Sequence, residues 1–125
     1  MTRKALVVDD SAATRFILSK MLKELGFESV QAAHGKEALT RLGDHSDCEL
    51  ALVDWNMPEM NGLEFIQALR TNHAYDKIQV VMVTTETEMM QVVRALEAGA
   101  NEYIMKPFTK EMVADKMQIL GVEHD

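Results

Sequence analysis

Residues 49–69 read ELALVDWNMPEMNGLEFIQAL and contain a complete structural unit in order. Glu49 to Val53 is a short apolar run of strand length. Asp54 ends the run ahead of WNMP, where a single aspartate would read as a turn residue. Asn61 and Glu64 then stand three apart, the spacing of a capping box, in which each residue answers an unpaired N–H of the other at a helix start. Leu63, Ile66 and Leu69 follow at helical intervals. The order is strand, polar turn, capped amphipathic helix.

The same unit recurs along the chain. ALVV (5–8) leads through Asp9 and Asp10 to Ser11, a helix cap, and to Leu18, Leu22 and Leu25, with Gly26 as the stop. ESVQAA (28–33) precedes Ala38, Leu39 and Leu42, a short helix closed by Gly43. QVVMV (79–83) precedes Val92, Val93 and Leu96, ending at Gly99. EYIM (102–105) precedes Thr109, Met112, Val113, Met117 and Leu120. Five strand–helix units predict an α/β fold, a doubly wound parallel sheet with helices on both faces and right-handed crossovers. In such sheets ligands bind beyond the carboxyl ends of the strands, so those ends carry the functional information.

The five ends supply Asp9 and Asp10; Ala33 and His34; Asp54, Trp55 and Asn56; Thr84, Thr85 and Glu86; and Lys106 with Pro107. Singly, each has a plain reading: an aspartate caps a helix, a threonine bonds to backbone, a lysine is solvated. If the first, third, fourth and fifth runs lie side by side, their ends bring three carboxylates, a hydroxyl and an ammonium to one pocket. Adjacent like charges such as Asp9 and Asp10 call for a cation or a proton. Three acids suit a hard cation such as Mg²⁺, with Mn²⁺ as the alternative. Metal, hydroxyl and ammonium together suit a phosphoryl group. A carboxylate can be the nucleophile in phosphoryl transfer, and Asp54, standing apart from the acid pair, is the candidate. Thr84 would donate a hydrogen bond to the phosphoryl group and Lys106 would supply a compact charge.

Composition narrows the function classes. The 125 residues are 47% apolar and 26% charged, ordinary for one globular domain. Thirteen basic against twenty acidic residues give a net charge of −7, which argues against a nucleic-acid surface. Cys48 is the only cysteine, so an internal disulfide is excluded and a cytoplasmic, reducing setting is expected. The apolar stretch after Arg3 and Lys4 is too short for a secretory leader, and no run approaches a membrane span. His34, His45, His73 and His124 lack ligand spacing and read as surface or turn residues, and most of the ten methionines read as core filler. Met89 and Met90 cannot both face one core stripe.

Taken together, VVDDS (7–11), LVDWNMPEMNGLEF (52–65), MVTTE (82–86) and EAGANEYIMKPF (97–108) resemble the receiver domain of two-component response regulators, most closely its stand-alone chemotaxis members, over essentially the whole chain. The resemblance implies a flavodoxin-like strand order 2-1-3-4-5 and a single receiver domain over residues 1–125 without an effector domain. It implies Asp54 as phosphoacceptor and Mg²⁺ held by Asp10, Asp54 and the backbone carbonyl of Asn56, with Asp9 assisting through water. By the same resemblance, Thr84 and Lys106 would contact the phosphoryl group, Tyr103 would be the aromatic switch, the Lys106–Pro107 bond would be cis, and Asn56 and Glu86 would modulate hydrolysis of the acyl phosphate.

The implied function is a phosphorylation-activated signalling switch in chemotaxis or flagellar control. It would be charged by a sensor histidine kinase or phosphotransfer domain, with Mg²⁺-dependent self-phosphorylation from a donor and self-dephosphorylation, and is not otherwise an enzyme. A monomer is expected. Output goes to a downstream protein where the fourth helix, fifth strand and fifth helix meet, a face on which Met89, Met90, Val92, Tyr103 and Lys116 are placed. Two departures stand out: Thr85 replaces a smaller residue, and the fourth helix opens Glu88, Met89, Met90 where the chemotaxis members are lysine-rich. Three alternatives remain. A phosphorelay intermediate would hand the group on. A phosphatase would want a second aspartate at position 56, which is Asn56. A flavin binder would want a hydroxyl- and glycine-rich loop where SAATR stands.

Overall fold

In a computed structural model, residues 3–55, 57, 60–85 and 89–125 are described, position 89 by its backbone only. They form strands β1 (Arg3–Val8), β2 (Phe27–Ala32), β3 (Leu50–Asp54), β4 (Gln79–Thr84) and β5 (Glu102–Met105). The helices are α1 (Ala12–Glu24), α2 (Gly35–Asp44), α3 (Gly62–Arg70), α4 (Met89–Ala98) and α5 (Lys110–Leu120). The strands make one parallel sheet in the order β2-β1-β3-β4-β5. The chain runs outward from β1 to β2 and then returns to the other side of β1 for β3. The reversal opens a crevice at the carboxyl ends of β1 and β3. Val8 and Val53 are partners in register, so Asp9 and Asp54 come next to each other at its floor.

Alternation along the strands divides the core in two. Leu6, Val8, Ala51, Val53, Val80 and Met82 face α2, α3 and α4, packing on Leu42, Phe65, Ile66, Leu69 and Ala95. Ala5, Val7, Leu50, Leu52, Val81, Val83 and Ile104 face α1 and α5, packing on Leu18, Leu22, Val113 and Met117. The interior strands β1, β3 and β4 are buried on both faces, which is why they read as unbroken apolar runs.

Most caps follow the sequence. Ser11 accepts from the N–H of Thr14, Thr109 from that of Met112, and Asn61 and Glu64 form the reciprocal capping box. His34 has a more specific role than a surface residue: its Nδ1 accepts the Glu37 N–H and caps α2. Gly43 does not close α2, which continues to Asp44. Residues 121–125 pack back onto the domain. Val122 is buried, and the Asp125 N–H donates to the Leu25 carbonyl, closing the tail onto the α1–β2 turn.

Arg70, the last residue of α3, ties three segments together. Its guanidinium donates to the carbonyls of Gly99 (3.1 Å), Tyr75 (3.0 Å) and Ile78 (2.8 Å), and to Asn101 Oδ1 (2.9 Å). Gly99 has φ +122°, and a Cβ there would lie 2.7 Å from Arg70 Cγ. Only glycine meets both demands at once.

Candidate functional site

Asp9 follows β1 directly and is 2% exposed, while Asp54 ends β3 and is 8% exposed. The Ser11 N–H donates to Asp9 Oδ1 (2.8 Å), and Arg15 Nη1 donates to the Asp9 carbonyl (2.6 Å). Asp9 is thereby held at the first turn of α1, with its other oxygen turned into the crevice. That oxygen, Oδ2, is buried and has no hydrogen-bond partner among the described residues. Lys106, from the end of β5, places Nζ 3.4 Å from Asp54 Oδ1 and 3.7 Å from Asp9 Oδ2. The Lys106 N–H donates to the Thr84 carbonyl (2.8 Å), extending the β4–β5 ladder one residue and fixing where that side chain leaves the sheet. The Lys106–Pro107 bond is cis.

Asp10 is exposed at the mouth. One oxygen each of Asp9, Asp10 and Asp54 lie within 4.8 Å of one another. Three carboxylates so close, one with a buried oxygen lacking a donor, fit a hard divalent cation with oxygen ligands. Burial pushes the Asp54 carboxyl up to about 6, with the Asp9 charge adding to the rise, Lys106 opposing it and Asp10 contributing least. A bound cation would offset this rise.

Thr84 ends β4 and is buried, and its hydroxyl donates to the Thr85 carbonyl (3.2 Å). Tyr103 is half-buried and packs against the α2–α3–α4 side of the core. Met82 pairs with Tyr103 and Thr84 with Met105, so Thr84 and Tyr103 lie on the same sheet face, one step apart diagonally. Asn56 and Glu86, and with them Glu88 and the side chain of Met89, lie outside the described residues.

A family model for the response regulator receiver domain matches residues 5–118. This chain belongs to the receiver domain family. Chemotaxis protein CheY1 of Helicobacter pylori is 42% identical over 118 residues, 94% of this chain and 95% of its own. A chemotaxis protein CheY homolog of Campylobacter jejuni is 44% identical over 120 residues, 94% of this chain and 92% of its own. Among solved structures, chemotaxis protein CheY4 of Vibrio cholerae superposes with a TM-score of 0.87 at 33% identity, covering 96% of this chain and 99% of that one. The resemblance, the strand order and the doubly wound fold drawn from the sequence are thus borne out. Among the described residues, no helix of this receiver domain is long and apolar enough to cross a membrane.

The structure corrects the surface expected on α4. Val92 is 4% exposed and faces the core with Ala95, so it does not belong to an output face. Met90 is 83% and Val93 55% exposed, with Leu96 outward beyond them. α4 packs on α3 and β4 through the line of Val92 and Ala95, and that packing leaves Val93 on the outer side. Met112 of α5, included in that helix's apolar stripe, is also partly outward.

Two contributors escape a reading of motifs. Arg15 grips the Asp9 carbonyl, and its signal is an arginine one turn inside a helix that follows an acid pair. Gly62 opens α3 against the β3 end, and its signal is a glycine directly after a cap asparagine.

Proposed function

We propose that residues 1–125 act as one receiver domain, a phosphorylation-controlled switch in chemotaxis that takes a phosphoryl group on Asp54 from a histidine kinase or phosphotransfer domain. The observation that carries this reading is the position of Lys106 Nζ between Asp54 Oδ1 and Asp9 Oδ2, the latter a buried oxygen without a hydrogen-bond partner among the described residues. The chemotaxis assignment is supported by the names of the relatives.

Asp54 is nearly buried at the end of the central strand β3 and accepts a hydrogen bond from Lys106, whereas Asp9 is tied to the Ser11 N–H and Asp10 is exposed. Its oxygen attacks phosphorus; the bond from phosphorus to the donor's leaving group breaks, and an acyl phosphate forms on Asp54. Asp9, Asp10 and Asp54 would hold Mg²⁺, together with the Asn56 carbonyl by resemblance, and the metal would neutralise charge on the phosphoryl oxygens. Lys106 would follow the new negative charge away from the Asp54 carboxylate. Thr84 would trade its bond to the Thr85 carbonyl for one to the phosphoryl group, drawing the β4 end inward. Tyr103, on the same sheet face, would respond to the space so vacated. The altered surface would present Met90 and Val93 of α4, Tyr103 of β5 and Lys116 of α5 to a partner, methionine being adaptable in apolar contacts.

Intact-mass measurement after incubation with a small acyl phosphate tests the reading. One added phosphoryl group is expected with Mg²⁺ and none with a chelator present. Equal labelling without divalent metal would overturn it.

Two further results are expected. Trp55, the single tryptophan, is buried and adjoins Asp54 through one peptide, so Mg²⁺ should change its fluorescence saturably. Asp10→Ala removes the exposed member of the acid trio and should abolish that change; a titration like that of the wild type would dismiss the acid pair as the metal site. Lys106→Arg keeps the charge but replaces a compact ammonium by a longer planar fork. It should still accept the phosphoryl group, while partner binding gains less than about a third of the normal phosphorylation-dependent increase. Normal coupling in a binding titration would remove Lys106 from the switch.

A further inference from the structure

Lys116 of α5 makes a contact that the phosphoryl site does not need. α5 packs on the sheet face that carries Ile104, whereas Tyr103 lies on the opposite face. Lys116 nevertheless reaches around the β5 edge and places Nζ 5.0 Å from the centroid of the Tyr103 ring. Glu102 holds it there: the Glu102 carboxylate is 3.3 Å from Lys116 Nζ, and the same Oε1 accepts the Tyr103 N–H at 3.0 Å. Both charged side chains are mostly covered, Lys116 being 26% and Glu102 21% exposed. One carboxylate oxygen therefore fixes the cation over the ring and the backbone that carries the ring. A cation over an aromatic face is attracted to it, more strongly as water is excluded.

We propose that Lys116, anchored by Glu102, is a positioning residue that holds Tyr103 in its half-exposed resting place and so sets the threshold for the switch. This deepens the function proposed above and rests on its reading of Tyr103 as the responsive group. Movement of the ring away from this place breaks the contact with Lys116. Phosphorylation must then supply what the contact supplied, and whatever weakens the contact shifts the resting population toward the active arrangement. A partner carboxylate that draws Lys116 away from Glu102 would have the same effect.

Fluorine NMR of protein labelled with 3-fluorotyrosine, in a Tyr75→Phe background that leaves Tyr103 as the only tyrosine, tests the latch. Beryllofluoride with Mg²⁺ serves as the phosphoryl mimic. In Lys116→Met, which keeps an apolar stem, the Tyr103 resonance should start part of the way toward its mimic-bound position. The apparent affinity for the mimic should rise about two- to five-fold, the range of a partly exposed cation–π contact. Glu102→Gln should move both quantities in the same direction by less. The sign is informative, because removing a positive charge from the neighbourhood of an anion would by itself weaken mimic binding. Unchanged or weaker binding in Lys116→Met, with Tyr103 at its wild-type position, overturns the latch while leaving the switch intact. A wild-type Tyr103 resonance that ignores the mimic overturns the switch reading, and the latch with it.

Discussion

Asp54→Asn is expected to take up no phosphoryl group and to be more stable than the wild type in the absence of metal. The first effect follows from chemistry: the amide is a poor nucleophile, so labelling by an acyl phosphate should fall below about a hundredth of the wild-type level in an intact-mass assay. Labelling that persists would mean that Asp9 or Asp10 accepts the group. The second effect follows from electrostatics. Burial and the Asp9 charge raise the Asp54 carboxyl from an ordinary 3.8 to about 6. The native state therefore binds more protons than the unfolded chain between about pH 4 and 6. Stability of the metal-free wild type should fall as pH rises through that window, and the full cost should be present above it. Solvent at the crevice mouth screens part of this effect, so the cost is on the order of 1–2 kcal/mol, and Asp54→Asn removes it at pH 7. Urea unfolding at pH 4.5 and pH 7 in the presence of a chelator measures both quantities. A variant with the same pH slope as the wild type would show that the strain lies elsewhere in the acid cluster.

Gly62→Ala should destabilise the protein, against the usual direction for a glycine inside a helix. Ordinarily the exchange gains about 0.5–1 kcal/mol, because glycine has more backbone freedom to lose. Here a Cβ would lie 2.7 Å from the Asp54 carbonyl oxygen and 3.1 Å from Trp55 Cα, with Met82 Cε behind them at 3.2 Å. Two of these three obstacles are backbone, and that backbone carries the phosphoacceptor. The Gly62 N–H also donates to the Trp55 carbonyl (3.0 Å), so α3 cannot back away without losing that bond. Overpacking of this kind costs about 1–3 kcal/mol. The net loss, up to about 2 kcal/mol, should lower the melting temperature by a few degrees, up to about 10 °C, in a domain of this size. Because the displaced atoms belong to Asp54 and Trp55, labelling of Asp54 should slow as well. A melting temperature equal to or above that of the wild type would mean that the α3 start yields more easily than its contacts imply.

The two predictions lie on opposite sides of what the sequence discloses. Asp54 is legible as the acid at the end of an apolar run, because strands buried on both faces must be apolar and the polar residue marks where they leave the sheet. Asp9, Thr84 and Lys106 are legible for the same reason, as are the caps Ser11, Asn61 and Thr109, whose bonds reach only three residues along the chain. Gly62 is quoted in the same stretch but carries no sign of its role. Its constraint is a contact with backbone seven and eight residues earlier, across a turn whose path spacing does not specify.

Local order in this protein is thus determined by the sequence alone: five strand–helix units, the bounds of the strands to within two residues, and the chemical character of each strand end. Tertiary structure decides which side of an element faces which neighbour. Val92 and Val93 are equivalent in any hydrophobic pattern, and only the packing of α4 on α3 and β4 turns the first inward and the second out. Lys106 and Asp54 are 52 residues apart and meet because β3, β4 and β5 are neighbours in one sheet. Arg70 and Lys116 complete the pattern: a long cationic side chain on a helix reads as solvated, because its charge is satisfied equally well by water. Here each folds back over the molecule because carbonyls or a carboxylate and an aromatic ring from other segments converge within its reach, and that convergence exists only once the sheet has assembled.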